Sequence, residues 1–466
     1  MATSTITASE NSVELNYWDQ HLSTGSNNQQ TETIPRRSGG ISDPEEENVV
    51  IQQLLPVDGG AAAWKVLIAA FVFESLLWGF PISFGVFQDF YSKQPEFEGS
   101  SQIALIGTMA QGLCYLGAPL VAILTKRFPK YNRQQIWVAW PLCIGGLVAA
   151  SFTSTVGGLI ATQGMMYGLG FVTLIYPILC MIDEWWIQRK GMAFGVIACA
   201  SGASGAVMPF ITSALLEKYG YKTALRIIAI GLTVLTGPLI PLLKGRLPAS
   251  EQAVLARVNW SFLKKPLFYI YSMATLVQGL GLFFPSIYLP TYATALGLST
   301  TEGALILAIM SISQTCGQFA IGFMTDKKFS VPWLVIGCSA IAAIAVLAIW
   351  GLAKSLGLLI FFSILYGFFA WAFGPLRVGM GKAVSDDPSA TVATYAFFCF
   401  CQGIGNVLVG PISSALLSQK IAVGSYAISR FRNVVIFTGG SMFLSAVVII
   451  AWLLWPRQKK TGFNCS

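Results

Sequence analysis

The chain has 466 residues, of which 54% are hydrophobic and 11% are charged, and its mean hydropathy is +0.64. An average soluble domain carries about 25% charged residues, so this composition excludes an ordinary soluble enzyme or binding domain. The net charge of +8 is carried largely by short loops between apolar stretches, which argues against a nucleic-acid partner and for contact with a lipid bilayer.

Residues 1 to 57 are polar and contain no apolar segment of the kind found in secretory signals. We predict that they form a disordered cytoplasmic tail. The only histidine, His21, lies in this tail, so no imidazole is available for metal binding or base catalysis in the apolar region. Eight of the nine cysteines lie in apolar stretches, where they favour packing over disulfides. We expect neither a metal nor a cofactor.

The region from residue 64 to residue 455 consists of apolar stretches separated by short charged loops. Three runs without a charged side chain, 134–182, 266–301 and 388–419, have 49, 36 and 32 residues. A helix needs ~20 apolar residues to cross a bilayer, so the longest runs must fold back as two helices. We predict an all-α polytopic membrane protein with twelve transmembrane helices near 64–90, 102–125, 134–153, 158–182, 191–215, 224–243, 266–292, 303–325, 331–351, 356–379, 390–417 and 433–455.

Twelve helices place both termini on one side of the membrane. If that side is the cytoplasm, the internal loops and C-terminal tail hold 17 Lys or Arg and the external loops hold eight. This bias predicts cytoplasmic termini. The only long internal loop divides the helices six and six. We therefore predict a first half at 58–243, a cytoplasmic linker at 244–265, a second half at 266–455 and a short cytoplasmic tail at 456–466.

The two predicted halves repeat several residues at an offset of about 200. The repeated positions are Tyr167-Gly168 with Tyr366-Gly367, Pro177 with Pro375, Gly202 with Gly403, and Pro209 with Pro411. Two similar six-helix halves related by an axis along the membrane normal are the layout of major facilitator transporters. The sequence therefore predicts that fold.

Three stretches make the resemblance more specific. The first, from Asp58-Gly59-Gly60 to Trp64, resembles the Asp-Gly-Gly-x-x-Ala-Trp leader of fungal monocarboxylate-porter-like carriers. The stretch 185–202, which begins Trp-Trp-Ile-Gln-Arg-Lys, resembles the motif of the same family at the start of the fifth helix. The stretch from Gly322 to Asp326-Lys327 resembles the general facilitator motif Gly-x-x-x-Asp-Arg/Lys. The resemblance covers about residues 56 to 455 and implies the fold and a transport activity.

The charged and glycine residues of these motifs admit two interpretations. They either set the membrane topology only or hold one access state of a transporter closed. We expect Asp58 to cap a helix or to pair with a basic loop, and Asp326 and Lys327 to pair between the halves or with a helix end. The predicted gating and motif residues are Asp58, Gly59, Gly60, Trp64, Arg127, Asp183, Glu184, Arg189, Lys190, Asp326 and Lys327.

The resemblance fails at the residues that animal members of the family use for small carboxylates. Their lysine in the first helix corresponds to Ile82, and their Asp and Arg in the eighth helix correspond to Gln314 and Gln318. All three charged groups are replaced by neutral ones. Transport of lactate-like anions is therefore not implied by the family name.

Other polar side chains in the predicted helices are candidates for a solute path. Gln314 with Gln318, and Gln402 with Asn406, are four residues apart and so share one helical face, which either lines a cavity or bonds a neighbouring helix. Glu74 lies ten residues after Trp64, ~15 Å into the first helix, where an ionised carboxylate is costly. It is either a proton-titrating group in the cavity or a neutral carboxyl bonded to a neighbouring helix. We expect Arg377 to meet an anionic solute, to pair with Asp183 or Glu184, or simply to snorkel. The predicted path residues are Glu74, Phe84, Gln278, Tyr288, Gln314, Gln318, Tyr366, Trp371, Arg377, Gln402 and Asn406.

These observations predict a monomeric secondary transporter that moves a small organic solute by alternating access, with protons as a candidate coupling ion. The resemblance implies a range from export of fungal secondary metabolites to uptake of a monocarboxylate or vitamin-like nutrient. A non-transporting nutrient sensor is a more distant alternative. No ATP-binding loop or nucleophile–base arrangement occurs in the sequence, so we expect no enzyme. We predict residence in the plasma membrane, with the vacuolar membrane as the alternative.

Overall fold

In a computed structural model of the protein, the described residues are 56–97, 102–247, 260–327, 329–387, 390–418 and 427–454. Nearly all of the predicted tail 1–57, most of the predicted linker 244–265 and the predicted tail 456–466 lie outside these ranges. Within them the regular secondary structure is helical, and no strand occurs there. The prediction of an all-α protein is confirmed.

Twelve helices follow one another in the described part of the chain, and we number them in chain order. α5 and α6 are one helical run, Lys190–Thr236, that turns at Gly220, where φ is 73° and glycine is favoured because it has no Cβ. The helices are α1 Gly60–Ser92, α2 Ile103–Leu116 with its continuation Ala118–Arg127, α3 Asn132–Ala150, α4 Val156–Trp185, α5 190–219, α6 221–236, α7 Pro266–Ala295, α8 Thr300–Thr325, α9 Val331–Trp350, α10 Leu356–Val384, α11 Thr391–Ser418 and α12 Arg432–Leu454.

Most of these helices are long and apolar enough to cross a membrane by themselves. In the described ranges nine qualify, and α2 makes ten if its two parts, bent by 45°, form one span. Separating α5 from α6 adds one more. The last is α3, which has 19 residues but begins with Asn-Arg-Gln-Gln and is therefore less apolar. The structure agrees with the predicted twelve spans, whereas the exact limits of the two halves remain predictions.

In each half, a tyrosine hydroxyl on the fourth helix donates a hydrogen bond to a backbone carbonyl oxygen on the first helix. Pro81 in α1 has no N–H to bond the carbonyl oxygen of Leu77, and the Tyr167 hydroxyl on α4 donates to that oxygen at 2.6 Å. In the second half the Tyr366 hydroxyl on α10 donates to the carbonyl oxygen of Leu282 on α7 at 2.9 Å. The repeat seen in the sequence therefore corresponds to the same helix–helix contact in both halves.

We expect Tyr167→Phe and Tyr366→Phe each to destabilise the protein by about 1 kcal/mol, because each leaves a buried carbonyl oxygen without a donor. Thermal unfolding of the purified protein in detergent measures this effect. Tyr269→Phe is the matched control, because Tyr269 is exposed on α7. Equal melting temperatures for all three variants would contradict the assigned role of the two buried hydroxyls.

The halves pack against each other along two helix pairs, α5 with α8 and α2 with α11. Gly195 and Gly202 on α5 face α8, and a Cβ on Gly195 would lie 3.0 Å from the carbonyl oxygen of Gln318. Gly403 on α11 lies against Tyr115 of α2 in the corresponding contact. Small residues let helix backbones approach closely within a membrane, where burial from water supplies no driving force between helices.

Candidate functional site

A cavity of ≈ 660 Å³ lies between the two halves. Residues of α1, α2, α4 and α5 line it from the first half, and residues of α7, α8, α10 and α11 line it from the second. A cavity of this size accommodates a drug-sized organic molecule.

The cavity is closed at the terminal face, which we define as the face where α1 begins and α12 ends. There Val378, Val392 and Ala396 of the second half belong to the same buried cluster as the apolar side chains of the first half. The rings of Phe194 on α5 and Tyr395 on α11 meet across the halves with centroids 5.4 Å apart. This packing separates the cavity from the terminal face.

The cavity extends instead to the opposite face. Gly85 and Gln88 near the end of α1, Thr108 on α2 and Ile287 on α7 line the cavity and are exposed. All four lie toward the face away from the termini. The structure therefore represents a state that is open to one side of the membrane and closed to the other.

Seven of the predicted path residues line the cavity: Glu74, Phe84, Gln314, Gln318, Trp371, Arg377 and Gln402. The Glu74 carboxyl accepts a hydrogen bond from Trp78 Nε1 at 3.0 Å through Oε1, whereas Oε2 is buried and has no hydrogen-bond partner. Trp78 is one turn further along α1. The carboxyl group is thus held in position by one oxygen, and its other oxygen remains available to a proton or a ligand.

Arg377 lies on α10 and is 6% exposed. Its Nη1 donates to Gln402 Oε1, its guanidinium carbon lies 5.5 Å from the ring centre of Tyr395, and its Nε has no hydrogen-bond partner. The alternative pairing with Asp183 or Glu184 is absent from this state. Asp183 binds Lys190 at 2.6 Å, and Glu184 accepts hydrogen bonds from the backbone between the halves at residues 246 and 247.

The two glutamines of α8 lie on the cavity, as their spacing of four residues predicted. Gln314 Nε2 donates to Ser201 Oγ of α5 at 3.1 Å, which bridges the halves. Gln318 Nε2 donates to the carbonyl oxygen of Trp371 at 3.4 Å. Pro375 cannot donate the usual i+4 hydrogen bond to that carbonyl, which accepts instead from the Gly374 N–H at 3.3 Å and from Gln318. Gln318 therefore bonds the interruption of α10 at 371–372 as well as lining the cavity.

Four predicted path residues do not line the cavity. Gln278 is fully buried on α7 and donates to the carbonyl oxygen of Ala370 at 2.9 Å. Tyr366 is used in the helix contact described above, and Tyr288 packs against Phe284 and Phe431. Asn406 is one turn beyond Gln402 on α11, and neither polar atom of its side chain has a partner. Gln278 and Tyr366 thus use their polar groups in helix–helix contacts, whereas Tyr288 contributes its ring to packing.

The leader motif, from Asp58 to Trp64, joins the start of α1 to the connection between α4 and α5. Asp58 Oδ1 accepts hydrogen bonds from the backbone N–H of Ile187 at 2.9 Å and of Arg189 at 2.8 Å, and its Oδ2 accepts one from Gln188 at 3.0 Å. The rings of Trp64 and Trp186 meet edge to face, 5.2 Å apart. Asp58 thus binds the connection before α5 and does not cap α1. Gly59 is the N-cap residue of α1, and Gly60, with φ 82°, adopts a conformation that favours glycine.

Asp326, at the end of α8, binds across the halves. Its Oδ1 accepts from the backbone N–H of Gly191 at 2.8 Å, and its Oδ2 accepts from that of Met192 at 2.6 Å. The ammonium group of Lys382 on α10 lies 3.2 Å from Oδ1. A carboxylate at the N-terminus of α5 is favoured by the helix dipole. Asp326 therefore ties the second half to the first at the terminal face.

The other charged motif residues have local partners. Lys327 lies over the Phe323 ring of its own helix, 4.8 Å from the ring centre, and the ammonium group beside Asp326 is that of Lys382. Arg127 lies 6.0 Å from the ring centre of Phe128. Arg189 is exposed, whereas Lys190 is buried in its ion pair.

An aromatic surface that the sequence did not indicate lies on the first-half side of the cavity. It consists of Trp78, Tyr115 and Phe171, with ring centres 5.6 Å apart for Trp78–Tyr115 and 5.1 Å apart for Trp78–Phe171. Gln111 on α2 also lines the cavity and donates to the carbonyl oxygen of Pro81 at 3.1 Å.

Comparison with known proteins identifies similar chains. The family model of the Major Facilitator Superfamily matches residues 102–408 and 271–464. The chain is 26% identical over 398 residues to "MFS transporter asaE" of Aspergillus flavus, covering 85% of this chain and 88% of the relative. It is 26% identical to "Fujikurins efflux protein" of Gibberella fujikuroi, with coverages of 84% and 83%. It is 24% identical to "Aspyridones efflux protein apdF" of Emericella nidulans, with coverages of 82% and 78%.

Solved structures share the fold. The proton:xylose symporter XylE superposes with a TM-score of 0.60 at 14% identity, covering 85% of this chain and 96% of that one. The nucleoside transporter NupG superposes with a TM-score of 0.58 at 17% identity, with coverages of 84% and 99%. At these identities the likeness concerns the fold alone.

Proposed function

The chain belongs to the Major Facilitator Superfamily, and on that basis we propose that it is a secondary active transporter that exports a small organic solute from the cell. The solute binds in the cavity between the halves, and the halves rock about it to expose it to each side in turn. The cavity, open at one face and closed at the other by contacts across the halves, is the observation that carries this proposal. It corresponds to one of the two access states that such a cycle requires.

The direction of transport is inferred from the relatives. Two of them are named efflux proteins for fujikurins and aspyridones, which are fungal metabolites. With both termini in the cytoplasm, as the distribution of Lys and Arg supports, the state described above faces outward. We place the protein in the plasma membrane as a monomer. Fusion of a fluorescent protein to the C-terminus, with selective permeabilisation, tests both membrane and orientation.

Small monocarboxylates fit this cavity poorly. Ile82, Gln314 and Gln318, which replace the three charged residues of the animal carriers, all lie on its lining. Besides one charged residue from each half, Glu74 and Arg377, the cavity offers an extended aromatic surface and a few amide groups. A larger organic solute therefore matches it better than a lactate-like anion does.

The export proposal is tested by metabolite profiling of cells with and without the gene. We expect one or a few organic compounds to decrease in the medium and to accumulate in the cells when the gene is deleted. Ser286→Trp tests whether export depends on the cavity itself. Ser286 lines the cavity, and a bulky ring there blocks it without removing a described hydrogen bond. This variant should behave like the deletion. Compounds that instead disappear from the cells and remain in the medium would establish uptake and overturn export.

A further inference from the structure

Two charged side chains occur on the cavity lining, all of which lies in the described part of the chain: Glu74 and Arg377. They belong to opposite halves and do not form an ion pair with each other. No carboxylate of a described residue lies within 4 Å of the Arg377 guanidinium. A buried charge without an opposite charge is costly, and arginine remains protonated in proteins. The guanidinium is therefore prepared for an anion that the protein itself does not supply.

Unsatisfied polar atoms on the same side of the cavity point to the same conclusion. Arg377 Nε, Trp371 Nε1 and Gln318 Oε1 are buried atoms without a hydrogen-bond partner, and their residues all line the cavity. Gly374 lies beside two of these residues: a Cβ there would be 3.5 Å from Gln318 Nε2 and 3.9 Å from Arg377 Nη2. A guanidinium with an unsatisfied N–H, on a lining that offers a second unsatisfied N–H donor, suits the oxygen atoms of an acidic group.

The facing side of the cavity differs in chemistry. There Trp78, Tyr115 and Phe171 present rings in edge-to-face and tilted contacts, as described above. Flat apolar groups pack favourably on such a surface. A single ligand that fills the ≈ 660 Å³ cavity would therefore contact a cationic surface with one part and an aromatic surface with the other.

We propose that the transported solute is an amphipathic organic acid, whose ionised acidic group binds Arg377 and whose apolar body packs on Trp78, Tyr115 and Phe171. That this solute is transported rests on the proposed function, whereas its binding rests on the geometry of the cavity. It differs from carboxylate recognition in the animal carriers, because the cation lies on α10 and the corresponding position on α8 is Gln318.

Binding of matched probes to the purified full-length protein tests the proposal. Naphthalene-2-sulfonate is a permanent anion, and naphthalene-2-sulfonamide has nearly the same shape without the charge. We expect isothermal titration calorimetry to show at least about tenfold tighter binding of the sulfonate, since charge-assisted bonds to a guanidinium are strong in a buried site. Equal affinities for the two probes would overturn the proposal without any variant.

Variants then assign the preference to Arg377. We expect Arg377→Gln to lose the sulfonate preference while it binds the sulfonamide as before, which also shows that the variant is folded. Should Arg377→Gln fail to fold, Arg377→Lys keeps the charge but not the forked geometry, and should weaken sulfonate binding alone. Arg226→Gln is the control, because Arg226 is exposed on α6, outside the cavity. A sulfonate preference that survives in both Arg377 variants would overturn the assignment.

The outcomes for this inference and for export are distinguishable. If the gene deletion changes no metabolite but the sulfonate preference depends on Arg377, export fails and the anion site stands. If the deletion traps neutral or cationic compounds in the cells and the probes bind equally, export stands and the acidic solute is excluded.

Discussion

Replacing Asp326 by Asn is expected to open the cavity to the terminal face. The carboxylate binds two backbone N–H groups at the start of α5 and the ammonium group of Lys382, so it joins the halves in the state described here. Asn has nearly the same shape but lacks the charge that the helix dipole favours and offers a single oxygen. We expect the closed state to lose about 2 kcal/mol, a change of roughly 30-fold in the ratio of the two states.

A cysteine placed at Ala396 reports this change. Ala396 is fully buried between the halves at the terminal face. In a background without native cysteines, a membrane-impermeant maleimide applied from that face should label Ala396→Cys slowly. Labelling should become faster by roughly the same 30-fold factor when Asp326→Asn is added, provided that the reagent reacts only with the open state.

Asp58 supplies the matched control. It also accepts backbone hydrogen bonds at the start of α5, but it belongs to the same half as that helix. Asp58→Asn should lower the melting temperature and leave the labelling rate unchanged. Equal acceleration by both variants, or by neither, would mean that Asp326 does not hold the two halves together.

The number and length of the helices could be predicted from the sequence because bilayer thickness fixes them. Long runs without charge, such as 134–182, can only be read as two crossings with a short loop between them. The repeat was visible for a similar reason. Tyr167 and Tyr366 recur because each donates a hydrogen bond to a carbonyl oxygen of a neighbouring helix, and Gly202 and Gly403 recur where two helices approach closely. These features depend on the residues of each helix and on its immediate neighbours.

The direction in which each polar side chain points could not be predicted in the same way. Spacing showed that Gln402 and Asn406 share one face of α11, and only the first lies on the cavity. The helix is buried on several sides, and Gly405 packs so closely on Gly279 of α7 that this part of α11 faces another helix. In an apolar bundle, sequence periodicity does not separate a face toward a cavity from a face toward a neighbour.

The closure of the terminal face was only partly predictable. The motif around Asp326 indicated a contact between halves, because an acidic residue at the end of a helix beside a glycine is a recognisable pattern. Its partners were not indicated. Lys382 of α10 lies beside Asp326, and the start of α5 reaches Asp326 because Gly191 and Gly322 allow close approach. Such contacts depend on the arrangement of three helices.

Glu74→Gln is expected to separate solute binding from proton coupling. The substitution keeps the volume of the side chain and an oxygen that can accept the hydrogen bond from Trp78, so it removes only the capacity to titrate. Among the described residues that line the cavity, Glu74 is the one with a carboxyl group. An ionised carboxylate at this depth is costly, so its charge should depend on which face of the membrane the cavity meets.

The reporter at Ala396 measures this coupling without knowledge of the solute. The labelling rate is divided at each pH by the rate of a small free thiol, because maleimide reacts with the thiolate and its own rate rises with pH. We expect this ratio to vary by roughly tenfold between pH 5.5 and 8, and to lose the dependence in Glu74→Gln. The ionisable groups that face Glu74 are Cys114 and Tyr115 of α2 and Tyr395 and Cys399 of α11, which ordinarily titrate above this range.

Two further measurements make the assignment to Glu74 specific. Glu217→Gln removes an exposed carboxylate at the far end of α5 and should leave the pH dependence of labelling intact. In proteoliposomes, naphthalene-2-sulfonate flux driven by a pH gradient should fall about tenfold in Glu74→Gln while probe binding persists. Undiminished flux with an unchanged pH dependence would remove Glu74 from the coupling mechanism. The cavity would then act as a binding site for the solute alone, and the Glu74 carboxyl group would serve only to hold the Trp78 ring on the same helix.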